Sequence, residues 1–227
     1  MKNSGFKLVI FDWDGTLMDS IDHIVNSMQG AIRDLQYEHR EAETIRNIIG
    51  LGMHEAILAL FPECEHGERM KFIESYRDYF FETSHNSDFY PGALDVVNSL
   101  KEQDYLLAVA TSKGRNGLNR AFNNYGLIDT FHSSRCADET QSKPHPQMLL
   151  ELLEELETRP EEAVMVGDTA YDMEMAQNAG IQRIACCYGV HDRERLMSYE
   201  PMACMQSINE LENILSTRCQ DDATAAG

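Results

Sequence analysis

An α/β fold, a doubly wound parallel sheet interrupted by a helical insertion, follows from three features of this sequence. Four short apolar runs end abruptly in polar or glycine residues: Phe6–Phe11, Leu106–Ala110, Ala163–Val166 and Ile184–Tyr188. Their apolar character is continuous rather than alternating, as in strands buried on both faces of a parallel sheet. Segments of helical spacing lie among them, at Ala93–Gln103, Leu118–Tyr125, Pro146–Glu157 and Met173–Ala179, and strands alternating with helices wind a sheet on both faces. The third feature is an interval from about Ile21 to His85 with helical periodicity and no buried-strand pattern.

Taken in chain order, the first run opens the core and the helical interval then forms a cap. Within the interval Ile24, Met28, Ile32 and Leu35 share one face, as do Met53, Ile57 and Leu60, and then Phe72, Ile73, Tyr76 and Phe80. The turn Gly15–Ser20 leads out and the polar stretch Ser84–Gly92 leads back. The expected division is a core of residues 1–17 and 88–218, a cap of 18–87, and a disordered tail at 219–227 ending in QDDATAAG. No internal repeat is present.

Composition sets the class of partner. With 227 residues, 43% hydrophobic and 25% charged, the chain is an ordinary globular protein able to bury a sizeable core. Its 38 acidic residues against 19 basic ones give a formal charge of -19, a field that repels nucleic acid. The same field opposes a phosphorylated metabolite, so a site for one must reverse the potential locally with a metal ion or a lysine. The six cysteines (Cys64, Cys136, Cys186, Cys187, Cys204 and Cys219) form no CxxC pair and no disulfide framework, and are expected to be reduced and mostly buried. The apolar run near the start is shorter than a signal-peptide core and no stretch suits a membrane span, so a cytoplasmic protein that binds no membrane is expected.

Chemistry concentrates where the apolar runs end. FKLVIFDWDGT places Asp12 and Asp14 just past the first run, two residues apart and so on one side of an extended chain. Ligand sites of open α/β sheets lie beyond the carboxyl ends of the strands. Two crowded carboxylates persist most easily around a cation or with one of them protonated, although an acidic turn after a strand is also a common, inert feature. LLAVATSKG delivers Thr111 and Ser112, whose hydroxyl and N–H groups suit phosphoryl oxygens or else cap a helix. SKPHPQ places Lys143 before Pro144, which suits the first position of a helix, against the alternative of a surface lysine. EAVMVGDTAYD supplies Asp168 and Asp172, which otherwise serve as a helix cap and a solvated carboxylate. Converging from four strand ends, these groups offer hard oxygen ligands suited to Mg²⁺ and the local positive charge that the acidic surface demands.

These motifs, in this order over nearly the whole chain (DWDGTLMDS, ATSKG, SKPHP and GDTAYD), resemble the haloacid dehalogenase superfamily, in particular its phosphoglycolate-phosphatase-like branch with a helical cap after the first strand. The segment Tyr90–Ala93 resembles that family's re-entry from cap to core. The resemblance implies a Rossmann-like core and a phosphatase in which Asp12 becomes an aspartyl-phosphate. Asp14 would protonate the leaving oxygen and later activate water, and Thr111 and Lys143 would hold the phosphoryl oxygens. It implies Mg²⁺ on Asp12, the Asp14 carbonyl and Asp168, with Asp172 directly or through water. Gly15 and Ser112 are further expected to bind substrate, as are, from the cap, Gly50 in the Ile49–Gly52 loop and Arg46. Lys113 and Arg115 either line the mouth or lie on solvated surface, and Trp13 is expected to pack beneath the loop.

The favoured substrate is a small phosphate monoester such as phosphoglycolate. The alternatives are a phosphomutase of the β-phosphoglucomutase type, a pyrophosphatase or nucleotidase, and a non-catalytic binding protein. Monomer and homodimer are both left open.

Overall fold

The computed structural model describes residues 5–82 and 88–217. Part of the return linker and the expected tail lie outside these residues.

The six-stranded core sheet is parallel throughout, in the order β5-β4-β1-β6-β7-β8. Its strands are β1 (Leu8–Phe11), β4 (Leu106–Thr111), β5 (Ser133–Cys136), β6 (Ala163–Gly167), β7 (Gln182–Cys186) and β8 (Ala203–Met205). The continuous apolar runs have a direct cause in β1. Val9 and Phe11 enter one hydrophobic cluster, with α5 (Ala93–Glu102) and α6 (Arg115–Tyr125), while Leu8 and Ile10 enter another on the opposite face, with α7 (Gln147–Glu155) and α8 (Ala170–Asn178). A strand covered on both sides has no position for a polar residue. β1 pairs with β4 on one side and β6 on the other, from Leu8↔Leu106 and Leu8↔Ala163 onward. The winding reverses direction there, which is where open α/β sheets bind ligands.

The cap holds α1 (Ile21–Asp34), α2 (Ala42–Arg46), α3 (Met53–Leu60) and α4 (His66–Glu82), gathered around a cluster of their own. The predicted faces meet there: Ile24, Met28 and Ile32 of α1 pack with Ile57 and Leu60 of α3 and with Phe72 and Ile73 of α4. A short antiparallel ribbon, β2 (Met18–Asp19) with β3 (Asp88–Phe89), carries both linkers between the domains. Trp13 packs beneath the first loop as expected, 1% exposed and set edge-on to Phe89, Phe122 and Phe131.

Three expectations are corrected. Pro144 follows a cis peptide bond and precedes the helix, so the first position of α7 is Gln147, with Pro146 as its cap. Cys187 and Cys204 are not separate thiols: β7 and β8 run side by side, and the two residues, with Cα atoms 6.1 Å apart, are joined as a disulfide. Cys64, Cys136 and Cys186 are free and buried as expected, and Cys219 lies outside the described residues. The third is Arg46, which pairs with Asp22 of α1 within the cap. Among the described residues no helix is long and apolar enough to cross a membrane.

Candidate active site

The predicted residues meet at the carboxyl edge of the sheet. The turn after β1 folds because Leu17 and Met18 both donate their N–H groups to the Trp13 carbonyl, at 3.0 and 2.9 Å. Gly15 stands there at φ +85°, and a Cβ on it would lie 2.2 Å from Asp168 Oδ2, so only glycine lets the turn close on that carboxylate. Its role is therefore this close approach, and it is absent from the wall of the crevice.

Asp12, Asp168 and Asp172 are buried, with carboxylate oxygens within 4.8 Å of one another. Lys143 reaches between two of them, its Nζ 2.8 Å from Asp12 Oδ1 and 2.7 Å from Asp172 Oδ1. Burial works against the Lys143 ammonium, but Asp12 and Asp172 outweigh it and its pKa is raised. Burial pushes Asp12 up to about 7, with Lys143 opposing and Asp172 adding to the shift. Asp168 is raised well above the usual carboxylate range, first by burial and then by Asp12 and Asp172. Three carboxylates thus face one ammonium in a buried site. That excess of negative charge, built of hard oxygen donors, fits a divalent cation.

Each carboxylate is oriented by neighbours. Asp168 accepts from Thr16 Oγ1 and from the Val190 N–H, both at 2.8 Å. Asp172 Oδ2 accepts from the Thr169 N–H at 3.0 Å and Thr169 Oγ1 at 2.7 Å, so both its oxygens are engaged and it anchors Lys143 to the start of α8. The loop after β7 is fixed by His191, whose Nδ1 accepts from the Ala170 N–H at 2.8 Å and whose pKa burial lowers to about 4. Asp14 stands apart: its carboxylate accepts from Ser20 Oγ at 2.6 Å and pairs with Lys113 at 2.9 Å.

A crevice of about 690 Å³ separates cap from core, with Asp12, Asp14, Thr111 and Ser112 at its floor and Tyr76 and Phe80 in its roof. Gly50 lines it at φ +103°, close over Thr169. Ser112 spends its hydroxyl on the Gly50 carbonyl, so its side chain closes cap on core. Gly52 and Ser142 add a second clasp at 2.7 Å, and Tyr171 donates to the Asn47 carbonyl at 3.0 Å. Arg46 is not brought to the crevice: it pairs with Asp22 on α1, because α2 turns that side outward. The cations in the wall are instead Lys113, Arg77 and Arg120. Arg115 points away, to Glu139. Thr16 and Ser20 lie within DWDGTLMDS but carry no sign there of the bonds they make, and Val190 lies outside every motif; Thr16 and Val190 meet Asp168 only in the folded chain.

The family model for haloacid dehalogenase-like hydrolases matches residues 9–186, from β1 through the end of β7. The chain belongs to that family. Among curated relatives, the protein named "Probable phosphatase IndB" of Dickeya dadantii is 35% identical over 90% of this chain and 91% of its own. Pyrophosphatase PpaX of Bacillus cereus is 29% identical over 92% and 95%. Two solved structures share the fold: a predicted phosphoglycolate phosphatase from Haemophilus somnus (TM-score 0.83, 24% identity, 92% and 98% covered) and a haloacid dehalogenase-like family hydrolase from Streptococcus pneumoniae (0.80, 23%, 93% and 99%). The protein is a phosphatase of the haloacid dehalogenase-like family, and its carboxylate cluster fits the divalent metal such enzymes generally use.

Proposed function

We propose that this phosphatase hydrolyses a small phosphate monoester of the phosphoglycolate kind, with Mg²⁺, through an aspartyl-phosphate on Asp12. The observation that carries the reading is the buried set of Asp12, Asp168 and Asp172 with Lys143 bonded between Asp12 and Asp172. It pairs a nucleophile at a strand end with the positive charge that a phosphoryl group needs in a protein of charge -19.

Asp12 presents a carboxylate oxygen to phosphorus in line with the departing oxygen, and the P–O bond to the leaving group breaks as the acyl phosphate forms. Lys143 balances charge on the phosphoryl oxygens from its place beside Asp12, and Thr111, 1% exposed at the end of β4, offers a hydroxyl to them. Asp14 gives a proton to the leaving oxygen and then takes one from the water that attacks the acyl phosphate. Asp12 and Asp168, with the Asp14 carbonyl, are the groups to hold Mg²⁺. When bound, it would polarise the phosphoryl group and offset the charge of the transition state. Asp172 acts through Lys143.

A second reading, hydrolysis of pyrophosphate, is favoured by the 29% identity to the protein named pyrophosphatase PpaX over 92% of this chain; Lys113, Arg77 and Arg120 line the crevice and suit the second anionic group of either substrate. Phosphate release from phosphoglycolate, pyrophosphate, nucleoside monophosphates and sugar phosphates separates the two, run with wild type and Asp12→Asn, with Mg²⁺ present or chelated. The proposal expects a monoester to lead and both controls to be inactive. An isomerised sugar phosphate without free phosphate would establish a mutase, and no turnover of any ester would establish a binding protein.

A further inference from the structure

We propose that Tyr188 is a positioning residue of the metal site: its hydroxyl fixes Thr16, and Thr16 orients the Asp168 carboxylate. The inference rests on the reading above in which Asp168 holds Mg²⁺. The Tyr188 hydroxyl donates to the Thr16 carbonyl at 2.9 Å, from the loop after β7 to the turn after β1. Thr16 is fully buried and donates its own hydroxyl to Asp168 Oδ1 at 2.8 Å. The other oxygen, Oδ2, accepts from the Val190 N–H at 2.8 Å. One loop therefore holds both oxygens of Asp168, Val190 directly and Tyr188 through Thr16. Between them Gly189 lies flat against the same side chain, where a Cβ would stand 2.3 Å from Asp168 Cβ.

Both ends of the loop are fixed. Cys187 is joined to Cys204, and its N–H donates to the Met205 carbonyl at 2.9 Å, which ties the start of the loop to β8. At the far end His191 donates its N–H to the Asp168 carbonyl at 3.2 Å. The Tyr188 ring sets edge-on to Tyr90, with centroids 4.7 Å apart, and Tyr90 in turn donates its N–H to the carbonyl of Leu17, next to Thr16, at 2.9 Å. That packing belongs to the ring and survives loss of the hydroxyl, whereas the bond to Thr16 does not, so Tyr188→Phe takes the two roles apart. Hydrogen-bond partners of a ligating carboxylate raise metal affinity by fixing its orientation before the ion arrives. Thr16 stands in that place, and Tyr188 one bond further out.

The test is Mg²⁺ affinity in the absence of substrate, by isothermal titration, beside the melting temperature of the metal-free protein. Thr16→Val is expected to weaken Mg²⁺ binding ~10–100-fold and Tyr188→Phe ~3–10-fold, with kcat at saturating Mg²⁺ kept within ~2-fold of wild type. The double variant should bind Mg²⁺ as Thr16→Val does, to within ~2-fold, because the Tyr188 hydroxyl then has no donor left to position. Thr16→Ser keeps the hydroxyl and should return most of the affinity. Wild-type affinity in Tyr188→Phe overturns the proposal, even where the metal-free protein melts lower, since a ring that only packs would do that. Losses that multiply in the double variant overturn the route through Thr16. Tyr188→Met takes the place of Tyr188→Phe if the latter does not fold, and wild-type affinity in it overturns the proposal equally. Asp168→Asn should weaken binding more than any of these, and wild-type affinity there would instead overturn the underlying reading of Asp168 as a Mg²⁺ ligand.

Discussion

The floor and the roof of the crevice are built on opposite plans. The floor rests on a buried cluster of which Asp12 alone reaches the crevice: Asp12, Lys143, Asp168 and Asp172 are all buried, and Lys143 joins two of the carboxylates through bonds of 2.7–2.8 Å. The roof belongs to a cap with its own hydrophobic cluster, fastened to the core by a few hydrogen bonds and by rings facing Lys113 and Arg120. A rigid floor suits chemistry that needs charge fixed before the substrate arrives. A lightly fastened roof suits choosing and releasing the substrate. Substitutions in the floor should therefore change the chemical step, and stability as well where they leave a buried charge without its partner, whereas those in the roof should change selection and leave the floor intact.

The largest effect is expected at Asp12. Asp12→Asn keeps the shape and removes the proposed nucleophile, so turnover should fall at least ~10³-fold. Its fold should persist, since burial already works against the Asp12 charge. Thermal unfolding together with phosphate release checks both points. Lys143→Met comes next. It leaves Asp12 and Asp172 without their shared partner in a buried site, and loss of about 3–5 kcal/mol of stability is expected with the loss of activity. A variant that melts at the wild-type temperature would contradict the picture of a floor held together by that lysine.

Metal binding should show the same plan through pH. Asp12 is raised from 3.8 to about 7, so its contribution to stability is present in full below pH 3.8 and is lost as pH climbs through 7. On the proposed reading Mg²⁺ needs the ionised carboxylate and competes with that proton, so its affinity should rise over the same interval. Added Mg²⁺ should therefore raise the melting temperature more at pH 8 than at pH 5, approaching about 2.7 kcal/mol of stabilisation at a hundredfold excess over Kd. Equal shifts at both pH values would mean that the ion does not bind at Asp12.

How far the sequence reveals this arrangement depends on how local each feature is. β1, β4, β6 and β7 are legible because burial on two faces leaves an unbroken apolar run. β5 is not: its residues Ser133–Cys136 are mostly half-buried and polar at the sheet's edge, with Arg135 tied to Glu151 and Glu155. β8 is three residues long, and without it the neighbourhood of Cys187 and Cys204 has no sign in the sequence. Asp12, Asp14 and Asp168 stand just past β1 and β6, and Lys143 in the loop between β5 and α7, all in recognisable motifs. In the roof, Arg46 looks apt from its position near the Gly50 loop, yet α2 turns it toward Asp22. Lys113 reads equally as solvated surface until the turn after β1 brings Asp14 to it. Motifs record chemistry that depends on a few residues close in the chain, while a cap wall is set by helix orientation, which periodicity alone does not fix.

The smallest effect sharpens the contrast most. Tyr171 lies on α8, one residue before the Asp172 that anchors Lys143, yet its hydroxyl reaches away to the Asn47 carbonyl of the cap. Tyr171→Phe removes that donor alone, a hydrogen bond whose net contribution is about 0.5–1.5 kcal/mol. If cap and floor are separable, the loss falls on the closed arrangement of the cap, raising KM by up to about two- to twelvefold, and the Mg²⁺-induced melting shift stays at the wild-type value. A Tyr171→Phe protein with a reduced Mg²⁺ shift would show that the floor depends on the cap through α8, because the one bond removed touches neither Asp172 nor Lys143.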